Sequence, residues 1–279
     1  IPYDYSLPSL YVDNHMICAL KFKGKWQFID GTEKFQSLGS NAYRLRGRQI
    51  MIQSVDSDLP IIETVPKNYS STDVFAQKFN LVITEKSMKG TASATLTGDA
   101  KGRYLYYLDN YSKADMDNVY KYYFVANNKM FTLSDVNCKN CKQRDNDLKV
   151  TYAVDIRNKV NNYDGEIYVE YEFHKEFESF EEDEDRMSDV VFGEYTDLNL
   201  VTTFKHPLNW KLSHLPTPVI VDNEDFKFHY KITSSKGKLV YKKVFKIKKG
   251  KVSVKNYETF KVSMEKLKEF YDDQVVFTK

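Results

Sequence analysis

His15 and Asp30 are the two residues of this chain whose types and spacing best suit joint chemistry. Between them lie two short apolar stretches separated by Lys23-Gly24, a pair typical of a tight turn between antiparallel strands. A loop of two residues sets Ile17 opposite Asp30, and His15, two positions before Ile17, then points to the same face as the aspartate. A loop of three or five residues would place the two side chains on opposite faces. A carboxylate that fixes one tautomer of an imidazole is two-thirds of a nucleophilic triad.

The neighbours of this pair resemble the end of a transglutaminase-like catalytic core. In that family Asn-His begins one strand and Trp-x-x-x-Asp-x-Thr lies on the next; the matching residues here are Asn14, His15, Trp26, Asp30 and Thr32. The resemblance covers about residues 7–35. It implies that His15 is the general base and Asp30 its orienting partner in Cys-dependent acyl transfer or amide hydrolysis, with no cofactor and no metal. A histidine on a strand and an Asp-Gly turn are also common structural features, and that plainer interpretation stays open.

The nucleophile of the family that this stretch resembles is a cysteine at a helix N-terminus, upstream of the histidine. Cys18 lies three positions after His15 on the same predicted strand and would point to the opposite face. Cys138 and Cys141 lie in a polar, turn-like stretch, where a local disulfide or two free thiols is favoured over a nucleophile or a zinc site. The chain begins with Ile-Pro-Tyr, so we expect a fragment or processed product whose catalytic cysteine lies in the missing N-terminal portion of the same protein. This chain alone is then expected to be inactive.

The composition indicates a β-rich globular protein. Aromatic residues make up 15% of the 279 residues, and tyrosine and phenylalanine in such numbers suit half-buried strands. The formal net charge of +2 gives no reason to expect nucleic acid as a partner. No apolar run approaches the roughly 18 residues that a membrane-spanning helix needs, so we expect no membrane span. For the parent protein, the family resemblance implies a protein or peptide substrate.

The expected fold class is mainly β, of the β-rich α+β type. Residues 1–65 are predicted to be the last strands of a transglutaminase-like antiparallel sheet, residues 66–187 a β-rich module with one amphipathic helix, and residues 188–279 a second β-rich module. Both modules are expected to be β-sandwich-like with one short helix each. The second helix is predicted to begin at Ser263. The first is predicted from apolar residues at helical spacing, Met116, Val119, Tyr120, Tyr123 and Phe124.

Two charged stretches are interpreted structurally. The acidic segment 176–186 has no apolar period and lacks the glycine and terminal glutamate of a calcium-binding loop, so it is predicted to be a solvated linker. The lysines between residues 242 and 251 are attributed to a turn and to the protection of edge strands, because the total charge is nearly balanced.

Residues 190–279 also resemble the β-rich C-terminal region, of unknown function, of certain bacterial exported proteins that carry a transglutaminase-like core. The similarity runs through Tyr257, the predicted helix 263–273 and Val275-Val276-Phe277. It implies a periplasmic or otherwise exported protein. Two further hypotheses stay open: a non-catalytic module of the cell envelope that binds glycan or peptide through its aromatic residues, and a triad that is degenerate even in the parent protein.

Overall fold

An eight-stranded sheet at the centre of the molecule takes strands from both predicted β-rich modules. The computed structural model describes residues 15–36, 40–54, 57–66, 75–141, 143, 145–178, 180, 186–192, 197–248 and 250–279. Predictions that concern Asn14, residues 181–185 or Lys249 lie outside the described residues.

Strands outnumber helices among the regular elements of the described residues. In chain order the strands are β1 (Cys18–Phe22), β2 (Lys25–Ile29), β3 (Gln49–Ile52), β4 (Ile61–Thr64), β5 (Phe75–Ile83), β6 (Ser87–Leu96), β7 (Phe131–Lys139), β8 (Leu148–Arg157), β9 (Val160–Tyr163), β10 (Glu166–Val169), β11 (Val190–Val191), β12 (Asp197–Lys205), β13 (Lys211–His214), β14 (Val219–Asp222), β15 (Phe226–Ser235), β16 (Lys238–Ile247), β17 (Lys251–Val252) and β18 (Val275–Thr278). The helices are α1 (Gly98–Asn110), α2 (Met116–Val125) and α3 (Val254–Asp272), and residues 43–45 form a 3-10 turn.

The central sheet has the strand order β14-β15-β16-β12-β5-β6-β8-β7. Neighbouring strands are antiparallel except β12 and β5, which are parallel and connect the two predicted modules. Buried and more exposed residues alternate along β15 and β16, as expected of a sheet with one covered face. The mainly β prediction is confirmed, but the strands of the two modules share one sheet instead of forming two sandwich-like units. The boundaries at residues 65 and 187 stay predictions.

Helices cover the buried face of this sheet. On α2, Phe124 packs against Tyr152 of β8 with ring centroids 5.0 Å apart, and Tyr104 of α1 packs on Phe124 at 5.4 Å. On α3, Phe260 lies 5.8 Å from Phe228 of β15. These aromatic contacts explain much of the tyrosine and phenylalanine surplus, because the rings form the core between helices and sheet.

The helix predictions need two corrections. α2 was predicted, but α1 was not, so the first module has two helices; Gly98 and Gly102 lower the helical propensity of α1, and burial of Tyr104 against α2 offsets that cost. The last helix begins at Val254 with Ser253 as its N-cap residue, well before the predicted start. Ser263 lies inside this helix, where its hydroxyl donates to the Thr259 carbonyl at 2.6 Å.

The described residues between 15 and 66 form an N-terminal layer, which consists of two separate antiparallel hairpins, β1–β2 and β3–β4. Arg46 joins the layer to α1 through an ion pair with Asp99, whose Nη2 to Oδ1 distance is 3.1 Å, and Lys34 forms a second ion pair with Asp109. The Arg46 side chain is buried, whereas the second pair is exposed. The N-terminal layer is therefore held beside α1.

Candidate functional site

The turn of the first hairpin determines which residues can meet. Phe22 pairs with Lys25 in the register of β1 and β2, so the loop consists of Lys23 and Gly24. Both loop residues have positive φ angles, 49° and 75°, as the two-residue turns preferred by hairpins require. The two-residue loop predicted from the sequence is confirmed.

His15 and Asp30 are in contact, as this register predicts. His15 Nε2 lies 2.8 Å from Asp30 Oδ2, and the side chains are 29% and 3% exposed. The Nε2–H of a neutral imidazole donates to the carboxylate and leaves Nδ1 as the basic ring nitrogen. A buried carboxylate thus orients a partly exposed imidazole, which is the arrangement that a general base requires.

Asp30 receives hydrogen bonds on both of its oxygens. Oδ1 accepts from the Thr32 backbone N–H at 3.0 Å and from the Thr32 hydroxyl at 2.7 Å, while Oδ2 accepts from His15 and from Arg44 Nη2 at 2.8 Å. Burial alone raises the pKa of Asp30, but the hydrogen bonds from Thr32 and His15 outweigh burial and lower the pKa to about 2. Asp30 is therefore an anion at neutral pH, and Thr32 has a clear role in holding it.

Arg44 is a member of this cluster that the sequence did not reveal. Besides Asp30, its guanidinium donates to the Thr32 hydroxyl at 2.9 Å and forms an ion pair with Glu33. Its Nη2 also lies 3.4 Å from His15 Nε2. Arg44 lies in the 3-10 turn before β3, far enough from the first hairpin that no spacing rule connects it with His15. Its contacts hold the Asp30 carboxylate and the turn after β2 together.

Trp26 has a structural role beside this cluster. Its indole N–H donates to Glu63 Oε1 at 3.0 Å, which links β2 to β4. On the same strand Phe28 is buried. Both lie on the Asp30 face of the hairpin, because side chains alternate along a strand. The two hairpins therefore pack with this face inward.

None of the three cysteines of the sequence is placed as a partner of His15. Cys18 is a free, exposed thiol that shares one face of β1 with Leu20 and Phe22, opposite the face of Phe28. Cys138 and Cys141 form a disulfide with a Cα–Cα distance of 5.8 Å. The local disulfide was one of the two outcomes predicted for this pair.

A large cavity adjoins the His15–Asp30 cluster. Its volume is about 1060 Å³, and it lies between the N-terminal layer, helices α1 and α2, and strand β12. Thr32, Glu33 and Arg44, which surround Asp30, form part of its wall. On the other side the wall includes His174 and Glu176. The candidate pair thus lies next to a space large enough for a substrate.

Glu176 belongs to a buried cluster around Lys243. Lys243 Nζ lies 2.8 Å from Glu172 Oε1 and 2.5 Å from Glu176 Oε2, with all three side chains at most 5% exposed. The hydroxyl of Tyr241 donates to Glu172 at 2.5 Å, and that of Tyr230 donates to Glu176 at 3.3 Å. Burial disfavours the charged forms, yet Lys243 lowers the pKa of Glu176, and the two carboxylates raise the pKa of Lys243. Lys243 and Glu176 therefore remain an ion pair.

This cluster corrects two interpretations of charged stretches. Glu176 was predicted to begin a solvated linker, but it is buried and paired with Lys243. Lys242, Lys243 and Lys246 were attributed to strand ends and edge protection, yet they lie on β16, which has a neighbour on both sides. Lysine at an interior strand position needs a local anion, and no pattern in the sequence indicates the approach of Glu172 to β16.

His174 forms a second histidine–carboxylate pair at the cavity. Its Nδ1 lies 2.7 Å from Glu176 Oε1, and the imidazole is 48% exposed. Because Glu176 is fixed by Lys243, the orientation of His174 depends on the buried cluster. This pair was not predicted from the sequence.

Comparison with known families concerns the C-terminal part of the chain. Residues 165–277 match the model of a family described as "Domain of Unknown Function with solved-structure structure (DUF3858)". This supports the expectation of a C-terminal domain of unknown function, although the match begins earlier than residue 190 and includes the Lys243 cluster. A search of the curated proteins found no match. In the described parts of the chain, no helix is long and apolar enough to cross a membrane.

Proposed function

We propose that His15 and Asp30 are the general base and the orienting carboxylate of a Cys-dependent acyl-transfer or amide-hydrolysis site. The observation that carries the proposal is the 2.8 Å contact between His15 Nε2 and a buried, ionised Asp30. The thiol is supplied by a part of the protein outside these 279 residues, since none of the three cysteines of the sequence is placed at His15.

The chemistry follows from the tautomer that Asp30 favours. His15 Nδ1 takes the proton of the thiol, and Asp30 stabilises the imidazolium that forms. The thiolate adds to the carbonyl carbon of the substrate, the C–N bond breaks, and the imidazolium returns its proton to the leaving amine. Water or a second amine then attacks the thioester, gives its proton to His15 and releases the thiol. Water as acceptor gives hydrolysis, and an amine gives acyl transfer.

Exposed apolar surface on the N-terminal layer supports a further chain segment that packs against this layer. Leu20 and Phe22 of β1 are 55% and 58% exposed, and Met51 of β3 and Ile62 of β4 are 47% and 41% exposed. Two-stranded hairpins are only marginally stable by themselves, and exposed apolar faces often mark surfaces that bind a partner. Leu20 and Phe22 lie on the face of the first hairpin opposite His15, so the segment that brings the thiol would cover this outer face as well as approach His15 on the other.

The compartment proposed for the protein is the periplasm or another exported location. The Cys138–Cys141 disulfide supports this, because such bonds persist mainly in oxidising compartments.

The proposal is tested on the natural gene product with a glutamine-containing peptide as acyl donor and a fluorescent primary amine as acceptor, following ammonia release and amine incorporation. We expect His15→Ala to lower kcat by about 10²–10⁴-fold, because a general base contributes that much. Asp30→Asn should lower kcat less, and Cys18→Ser should leave it unchanged because that thiol is on the opposite face of the hairpin. Turnover that survives His15→Ala rejects the assignment, and loss of turnover in Cys18→Ser rejects the external thiol.

A further inference from the structure

The cavity beside the N-terminal layer has an aromatic rim on α1 and α2. Tyr106 and Tyr122 line it, and each is 54% exposed. Tyr107 lies between them, with ring centroids 6.0 Å from Tyr106 and 5.8 Å from Tyr122. Exposed, mutually supported rings at the mouth of a cavity offer flat apolar surfaces whose orientation is already fixed.

Among the described residues, every carboxylate of the cavity wall is paired with a cation of the chain, although Arg44 and Lys243 each also pair with a second carboxylate outside the wall. Each of the five acidic residues that line the cavity is in an ion pair: Glu33 with Arg44, Asp99 with Arg46, Asp109 with Lys34, Glu176 with Lys243, and Asp197 with Lys246. Paired carboxylates can still accept hydrogen bonds, but they do not call for a cationic ligand. Arg103 also lines the cavity, so charges of both signs are present in the wall. This mixed pattern favours no strongly charged ligand and fits a neutral one with many hydroxyl groups.

His174 adds a directed hydrogen-bonding group to the wall. Its Nδ1 is bonded to Glu176 Oε1, so in the neutral form Nε2 is the acceptor, and Nε2 has no protein partner in the part of the chain that the structure describes. Glu176 is itself at least nine-tenths buried and held by Lys243. A fixed acceptor at a cavity wall suits an O–H donor on a ligand.

The strands that reach the cavity are a poor surface for an extended peptide. Phe75 and Gln77 belong to β5, and Leu198 and Leu200 belong to β12, both of which are interior strands of the central sheet. Their backbone groups are already paired, so a peptide cannot add as a strand there.

From these features we propose that the cavity binds neutral sugar units of an oligosaccharide. The C–H face of a pyranose ring stacks on Tyr106 or Tyr122, while its hydroxyls bond to His174 and to the paired carboxylates. The volume of about 1060 Å³ is at the upper end of small-molecule sites and accommodates more than one sugar unit. Sugar binding needs no thiol, so this proposal stands or falls independently of the acyl-transfer proposal.

The test is calorimetric titration of the full 279-residue chain with cellohexaose, chitohexaose and maltohexaose. We expect at least one to bind, and Tyr106→Ala and Tyr122→Ala each to weaken that binding about tenfold, a loss typical for one aromatic contact. Tyr163→Ala is the matched control, because Tyr163 is 75% exposed on β9, away from the cavity, and its loss should change nothing. His174→Ala should weaken binding by a smaller factor.

Folding of each variant is checked by its thermal unfolding, and Tyr106→Phe, which keeps the ring, should bind like the wild type. No binding of any of the three oligosaccharides up to about 10 mM overturns the proposal. So does binding that is the same in Tyr106→Ala, Tyr122→Ala and wild type. Tight binding of an unrelated peptide that is lost in the two tyrosine variants would assign the cavity to peptide instead and equally overturn it.

Discussion

Three histidine–carboxylate pairs lie in the described part of the chain, and the two that adjoin the cavity, His15–Asp30 and His174–Glu176, have opposite surroundings. His15–Asp30 lies in the N-terminal layer, which consists of two hairpins whose outer surface carries exposed apolar side chains. His174–Glu176 lies over the aromatic core of the central sheet, and its carboxylate is held by a fully buried lysine. The two pairs have similar contact distances, 2.8 and 2.7 Å, but the energetic consequences of breaking them differ.

The two pairs differ in the groups that surround the carboxylate. Asp30 is satisfied by four hydrogen bonds from nearby residues, and the Arg44 guanidinium that reaches it is partly exposed. Glu176 depends on Lys243, for which solvent offers no substitute because both are buried. The first pair can therefore vary in protonation or lose a partner at modest cost, as a chemical site must, while the second cannot.

The largest expected effect comes from removing the buried cation. Lys243→Met leaves Glu172 and Glu176 close together without a counter-ion, and we expect a loss of about 3–5 kcal/mol in the free energy of unfolding. Guanidinium unfolding followed by circular dichroism measures it. The matched control is Lys242→Met on the same strand, whose side chain is exposed and whose loss should change stability by about 0.5 kcal/mol or less.

A similar loss in both lysine variants would contradict the comparison. It would show that β16 tolerates neither replacement for reasons of strand propensity. Adding Glu172→Gln and Glu176→Gln to Lys243→Met should recover part of the loss, because the uncompensated charges are then removed.

The first hairpin shows what can be predicted from residues that are close in sequence. Lys23-Gly24 determines the loop length, the loop length determines the register, and the register brings His15 to Asp30. Each step depends on residues close in sequence, so it could be predicted. Arg44 completes the same cluster from a separate turn, and only the packing of one hairpin on the other brings it there.

The central sheet shows which features could not be predicted from residues that are close in sequence. Buried and exposed residues alternate clearly along β15 and β16, and helix α2 was predicted from apolar residues at helical spacing. No residue pattern in β12 or β5 indicates that these two strands pair in parallel. Two modules were therefore expected, although their strands form one sheet. Lys243 was assigned to the surface for the same reason: its partners Glu172 and Glu176 are distant in sequence, and a lysine in an alternating strand is usually exposed.

The second prediction concerns the His15–Asp30 pair and depends on pH. The pKa of Asp30 is about 2 in the folded protein and about 3.9 in an unfolded chain. Because the folded value is the lower one, the anion contributes about 2 kcal/mol above pH 4, and this contribution is lost as the pH falls toward 2. Asp30→Asn should therefore be less stable than wild type at pH 6 and equal to it near pH 2.

Trp26 is a convenient probe for that experiment. The chain has two tryptophans, and Trp210→Phe leaves Trp26, which is bonded to Glu63 inside the N-terminal layer. Urea unfolding followed by its fluorescence reports on the layer, while circular dichroism reports on the central sheet. A difference between Asp30→Asn and wild type that persists unchanged at pH 2 would show that the effect is steric and not due to the charge of Asp30.

The smallest effect is expected at the contact between the two regions. Lys34 and Asp109 connect the N-terminal layer to α1, but their side chains are 63% and 46% exposed. Water solvates both ions after separation, so we expect Lys34→Met to cost about 0.5 kcal/mol or less, and a double-mutant cycle with Asp109→Asn to give a coupling energy of the same size. The cycle is measured with the Trp26 probe at low and at high salt. A coupling above about 1 kcal/mol that survives high salt would mean that this surface pair holds the layer in place. If the coupling is small, the Arg46–Asp99 pair, whose guanidinium is buried, is the contact that keeps His15 and Asp30 beside the cavity.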